Sequence, residues 1–391
     1  MHANGVPSLA QVIFESYVNE VCLDRALKGK FLSGEKDADA LPQYKIMPLF
    51  SLWKRHGRKF LLMLLVLRLL LLPALAVAAL GNVAIAGVSL FRKRHSVVDL
   101  PDSISLPNTN SVKLFHYLFD DFDQRLSFRC KMPWGMLPYL SAGDHLRAIF
   151  IVWRVLIVIC FYREQYGVRR RDLIFHSIDV VPLTWFSLFI EKAALAGKSL
   201  ITDCNLQRWD YIATQLTDRC SIIQHAYIHG DLEFVHEFGS VECLYIFDAE
   251  FEAVFSRYYK FGASAIISPR LDLQQVGEGK RVLFLASSAP YLQFEIEFIR
   301  RVKSDLDYFV VIKLHPRHVY ESSVEQLVAL ADKMLSVSCF PDCECMVSYD
   351  SFLGYEYKAL GKKVVFLKDE GSIQAFLGGL DASAESHNGM A

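Results

Sequence analysis

From residue 198 onward the sequence alternates between short β-branched runs and helical stretches, and this alternation constrains the fold more than any other feature. SLIT (199–202), SIIQ (221–224), CLYIF (243–247), SAIIS (264–268), RVLFLAS (281–287), YFVVIKL (308–314), CMVSY (345–349) and KVVFL (363–367) read as strands. Between them, 207–216, 249–261, 293–304, 323–335 and 352–360 carry helical periodicity. Strands that are apolar throughout, rather than on alternate residues, are buried on both faces. They therefore belong to parallel sheets with helices above and below. The polar, glycine-bearing stretch 269–280 interrupts the series, and RVLFLASS after it starts a fresh doubly wound sheet. The expected class is α/β, with two doubly wound domains over 111–272 and 273–391 facing a cleft. Strand carboxyl ends and helix N-termini converge there, a usual place for a ligand.

The 391 residues fit two domains of ordinary size. With 52% hydrophobic and 22% charged residues, the chain is not disordered, collagen-like or a coiled coil. Lys and Arg number 42 against 43 Asp and Glu, so the basic field that coats nucleic acid is absent and no nucleic-acid partner is expected. Nine scattered cysteines suit a reducing compartment better than a disulfide framework. Cys339, Cys343 and Cys345 cluster, but no second Cys or His pair follows at zinc-ligand spacing, so no metal site is expected.

Residues 1–110 form a separate N-terminal region with amphipathic helices expected over 9–27 and 41–53 and a polar linker at 33–39. Within it, 60–91 (FLLMLLVLRLLLLPALAVAALGNVAIAGVSLF) contains no acid and Arg68 as its one charge. Basic runs flank it at 54–59 and 92–95. The run is long enough to span a bilayer and starts too late to be a secretory signal. Positive charge on both flanks leaves a span, a re-entrant hairpin at Pro73 or Gly81-Asn82 and an interfacial helix all open. A buried helix of a soluble domain is the alternative to membrane association. Pro101, Pro107 and Asn108-Thr109-Asn110 make 96–111 loop-like. Arg147 and Arg154 within the apolar run 145–162 suit a helix buried against a sheet or lying on a membrane surface. Arg169-Arg170-Arg171 suits a solvated turn or a contact to anionic lipid or a phosphorylated substrate.

Polar residues fall at several strand ends. Gln224-His225 follows SII, and a histidine there accepts a proton, binds a phosphate or is simply a structural hydrogen-bonder. Lys313, His315, Pro316, Arg317 and His318 follow YFVVI and make either a phosphate receptor or a solvated edge. Ser348 and Ser351 stand before a helix, as an anion site or an ordinary N-cap. Glu356 lies about one and a half turns into that helix, on a face expected to reach a ribose.

Taken in order, Gln224-His225, Ser268-Pro269-Arg270-Leu271-Asp272, Lys313 with His315-Pro316, and Ser351 followed by Glu356, Ala359 and Gly361-Lys362 resemble a motif series. It is that of the bacterial GT-B glycosyltransferases of capsule and lipopolysaccharide assembly and the related CDP-glycerol glycerophosphotransferases. The likeness covers about half the chain, roughly 198–370. Ala226 stands where the group usually has Gly, and Lys363 where it has Pro.

The resemblance implies a GT-B-like pair of Rossmann-like domains and a nucleotide-activated sugar as co-substrate, with no other cofactor. It implies that Lys313, His315, Pro316, Arg317, Ser348, Ser351 and Glu356 bind the donor. His225 is then the catalytic base or acceptor contact, and Asp203, at the end of SLIT, a second base candidate. Helix dipole and basic side chains stabilise the leaving phosphate without a metal. The expected function is transfer of a sugar or polyol phosphate to a glycan or lipid-linked acceptor at the cytoplasmic face of the plasma membrane. A nucleotide-sugar epimerase of the same fold, which needs no membrane segment, and an inactive membrane-tethered partner of a glycan synthase are the alternatives.

Overall fold

The computed structural model describes residues 7–31, 59, 95–107, 112–130, 133–203, 206–225, 231–315, 323–349 and 351–368, with 373 and 376. The apolar run 60–91, its basic collars, the helix expected at 41–53 and the linker at 33–39 lie outside the described residues, Lys59 and His95 apart. The chain divides into two compact units, Met1–Ala265 and Ile266–Ala391.

The first unit carries a sheet of β1 (Ser103–Leu106), β2 (Ser199–Thr202), β3 (Cys220–Ile223), β4 (Ser240–Ile246) and β5 (Lys260–Ile266), in that spatial order. The β1–β2, β2–β3 and β3–β4 pairs are parallel. β3 is buried along its whole length, whereas β5 is mostly exposed, as an edge strand is. Among the described strands the order never reverses, so they show no switch point of a doubly wound sheet, and that expectation is corrected for the described residues of the first unit.

Two further expectations change. The stretch 96–111 read as a loop, yet it contains β1. Nor do the described residues of 1–110 stand apart: β1 joins the sheet, and helix α1 (Leu9–Phe31) packs into the same unit. The reason is buried polar pairing. The Asn19 amide donates to the His236 carbonyl at 2.8 Å, and the buried Asp24 carboxylate lies 3.1 Å from the His176 ring.

The remaining helices of the unit are α2 (Val112–Leu118), α3 (Ala142–Cys160), α4 (Arg170–His176), α5 (Val180–Leu195), α6 (Arg208–Leu216) and α7 (Glu250–Phe255). α3 starts from a capping box in which Ser141 and Asp144 serve each other's backbone N–H. It packs on α1 and α5. Among the described residues one helical run, Arg170–Leu195, is long and apolar enough to cross a membrane by length and composition. Most of it is buried inside the unit, as the core helix of a soluble protein is.

In the second unit β6 (Leu273–Gln274) pairs with β10 (Phe340–Pro341). The main sheet comprises β7 (Val282–Ser287), β8 (Phe309–Leu314), β9 (Lys333–Met334), β11 (Cys345–Ser348) and β12 (Lys363–Phe366), ordered β12-β11-β7-β8-β9 and parallel throughout. Helices α8 (Leu292–Asp305), α9 (Val324–Leu330) and α10 (Phe352–Ala359) connect them. Successive residues of β7 feed two cores: Leu283 and Leu285 pack with Ile296 and Ile299, while Val282 and Phe284 pack with Met346 and Tyr357. Both faces are covered, as the apolar run 281–287 requires. After β7 the chain builds outward through β8 and β9, then crosses back to β11 and β12. The order reverses at β7, so the switch point lies between the carboxyl ends of β7 and β11.

Candidate functional site

Each unit gathers polar side chains at the carboxyl edge of its sheet. In the first unit Asp203 directly follows β2 and His225 lies two residues past β3, its neighbour in the sheet. His225 Nδ1 is 3.9 Å from Asp203 Oδ2; the histidine is 29% exposed and the aspartate fully buried. The two residues that the sequence offered as rival bases therefore meet. The fully buried carboxylate lies behind a half-buried imidazole, at a separation longer than a hydrogen bond.

Neighbouring hydrogen bonds fix this edge. Buried Gln224 donates its N–H to the Tyr245 carbonyl at 2.8 Å and accepts from Phe247 N–H at 3.0 Å, tying the end of β3 to β4. Beyond Asp203, Leu206 takes a left-handed conformation (φ 54°). Its N–H donates to the Tyr259 hydroxyl at 3.1 Å, and that hydroxyl donates to the Asp210 carboxyl. Asp210 also accepts from Gln207 N–H at 2.9 Å, capping α6. Burial raises the Asp210 carboxyl well above the usual carboxylate range, and burial with the adjoining Asp210 raises the Tyr259 hydroxyl.

In the second unit the expected donor residues divide. His315 is exposed just past β8, while Pro316 and Arg317 lie outside the described residues. Lys313 is buried: Nζ donates to the Cys339 carbonyl at 2.9 Å and sits 3.9 Å from the centroid of the Phe340 ring. Its ammonium thus holds the 339–340 segment against β8. Ser348 Oγ is buried and accepts from Ser351 N–H at 2.7 Å; Ser351 Oγ caps α10 by accepting from Leu353 N–H at 3.3 Å. Glu356 is fully buried, so the exposed carboxylate a ribose contact needs is not presented.

The other side of the switch point is formed by residues that strand-end position in the sequence does not single out. Ser287 Oγ donates to Glu295 Oε2 at 2.6 Å, and Ser288 N–H donates to Oε1 at 2.8 Å. Glu295 is fully buried in the first turn of α8. Beside it the Tyr291 and Tyr349 rings stack with centroids 3.7 Å apart and planes 9° from parallel. The signal was the serine pair ending RVLFLASS, but its weight depends on strand order. Among the described residues no cluster of three or more His, Cys, Asp or Glu is placed to hold a metal.

The sequence matches no protein-family model and no curated protein.

Proposed function

We propose that the chain is a transferase that moves a sugar or polyol phosphate from a nucleotide-activated donor to a lipid-linked or glycan acceptor. The juxtaposition of His225 with buried Asp203 carries the proposal. His225 takes the proton of an acceptor hydroxyl as its oxygen attacks the donor carbon or phosphorus, and the nucleotide leaves with the bond's electron pair. Asp203 steadies the imidazolium so formed. The second unit supplies the donor site: His315 and the switch point between β7 and β11 offer the polar edge where doubly wound sheets hold nucleotides. A GT-B arrangement of the two units, independence of metal, and attachment at the cytoplasmic face of the plasma membrane through 60–91 belong to the same proposal.

Thermal-shift titration of the full chain with CMP, CDP, UDP and GDP tests it. One nucleotide is expected to raise the transition temperature. His315→Ala should weaken that nucleotide about 10- to 100-fold, the equivalent of a charge-assisted hydrogen bond of about 1.5–3 kcal/mol. His225→Ala should leave nucleotide binding intact and abolish transfer. No stabilisation by any of the four nucleotides, or loss of nucleotide binding in His225→Ala, refutes the scheme.

A further inference from the structure

We propose that the outer face of α3 is a lipid-docking surface that seats the first unit on an anionic bilayer. Leu146, Phe150, Trp153, Ile157 and Phe161 recur at intervals of four, three, four and four residues. They are 50%, 73%, 45%, 40% and 79% exposed. The opposite face, with Ala148, Ile151, Val152, Val155 and Ile159, is buried, and α3 packs on α1 and α5. The outer face of a globular protein's surface helix is normally polar. Here it is a line of large apolar side chains about 22 Å long at 1.5 Å per residue. Such a stripe marks an interaction surface.

Charge selects the occupant. Residues 142–172 contain six arginines against three acids, of which Asp144 pairs with Lys192 and Asp172 with Arg171. Arg147 is offset by its ion pair with Glu191. Arg154, Arg163, Arg169 and Arg170 are exposed beside the stripe or just past its end. A second copy docking through the same face would set arginines against arginines. The chain's own run 60–91 brings basic collars at 54–59 and 92–95, again of like sign. An anionic headgroup layer complements the arginines while its acyl boundary takes up the apolar stripe.

Hydroxyl-radical footprinting of the full chain, read by mass spectrometry at Phe150, Trp153 and Phe161, tests it. On phosphatidylcholine vesicles containing phosphatidylglycerol, labelling of all three should slow at least about fivefold, and it should change little on phosphatidylcholine alone. The double variant Arg154→Gln/Arg163→Gln should weaken the anionic preference about fivefold per arginine removed. Four outcomes overturn the proposal. Labelling already slow without vesicles means another part of the chain covers the face. Labelling that slows with protein concentration alone means a second copy does. Labelling unchanged by anionic vesicles removes the lipid contact. Equal protection on both vesicle types, unaffected by the arginine changes, means the face is held near the membrane by 60–91 rather than by its own docking.

Discussion

Replacing Tyr259 with Phe removes one hydroxyl that serves two buried partners, the Leu206 N–H and the Asp210 carboxyl. An orphaned buried donor costs about 1–3 kcal/mol, and the lost bond to Asp210 about 1 more, so the first unit should lose about 2–4 kcal/mol. That is a large part of the stability of an ordinary domain. Tryptophan fluorescence during urea unfolding is the assay, because all five tryptophans precede residue 266 and the signal reports the first unit alone. Trp209 adjoins Asp210 and packs edge-on against Phe186, 5.1 Å between centroids. With a slope of about 2 kcal/mol per molar, the midpoint should fall by about 1–2 M. The partner change Asp210→Asn makes the sign of the pH dependence visible. Burial raises the folded carboxyl's pKa, so above about pH 4 the folded unit holds a proton that the unfolded chain has released. Stability from this group is full below the unfolded value and is lost as pH rises toward the folded one, at about 1.4 kcal/mol for each pH unit crossed between the two. Asparagine should remove that slope while still accepting the Gln207 N–H. A Tyr259→Phe midpoint within about 0.3 M of wild type refutes the network.

Two further changes probe the same unit by the same fluorescence. Burial holds the His145 pKa below its usual value, and among the described residues neither ring nitrogen has a hydrogen-bond partner. Its stability contribution is present above about pH 6.5 and lost as pH falls below it, so wild type should weaken between pH 7 and 5. His145→Leu should stabilise the unit by about 1–3 kcal/mol and flatten that loss; His236, also depressed by burial, leaves a residual slope. In Gly239→Ala the new Cβ overlaps the Thr214 carbonyl oxygen, so α6 and the backbone leading into β4 must separate. The cost should reach or exceed the upper end of the ~1–3 kcal/mol of overpacking, read as a lower urea midpoint.

The strands that were legible in the sequence are those buried on both faces, where no polar residue interrupts the run. SLIT appears as β2 and RVLFLAS as β7 within one residue. Helical periodicity overran its ends where a strand followed closely: 249–261 shortened to α7 before β5, and 323–335 to α9 before β9. β1 was illegible because Ser103-Ile104-Ser105-Leu106 is short, alternates, and is bracketed by prolines. Its strand state comes from pairing with β2 almost a hundred residues later. α1 misled for a related reason: Asn19, Glu20 and Asp24 look like a solvated face but are buried among partners from distant elements.

The site was half legible for the same cause. Strand-end position and residue type are local properties, so Asp203, His225 and His315 were found at strand ends from the sequence. Depth and strand order are not local. Nothing in SLITD tells that the Asp203 carboxylate lies beside His225, and Ser287, Ser288 and Glu295 gain meaning only once β11 crosses back beside β7. Both units place a fully buried carboxylate near polar residues at a strand end: Asp203 lies 3.9 Å from His225, and Glu295 accepts hydrogen bonds from Ser287 and Ser288. Burying a carboxylate costs several kcal/mol unless its partners are well placed. Lys313, the conspicuous charge at the end of β8, is by contrast engaged with a backbone carbonyl and an aromatic ring. The two buried acids, rather than the basic run after β8, mark where the polar edge of each sheet is held in place.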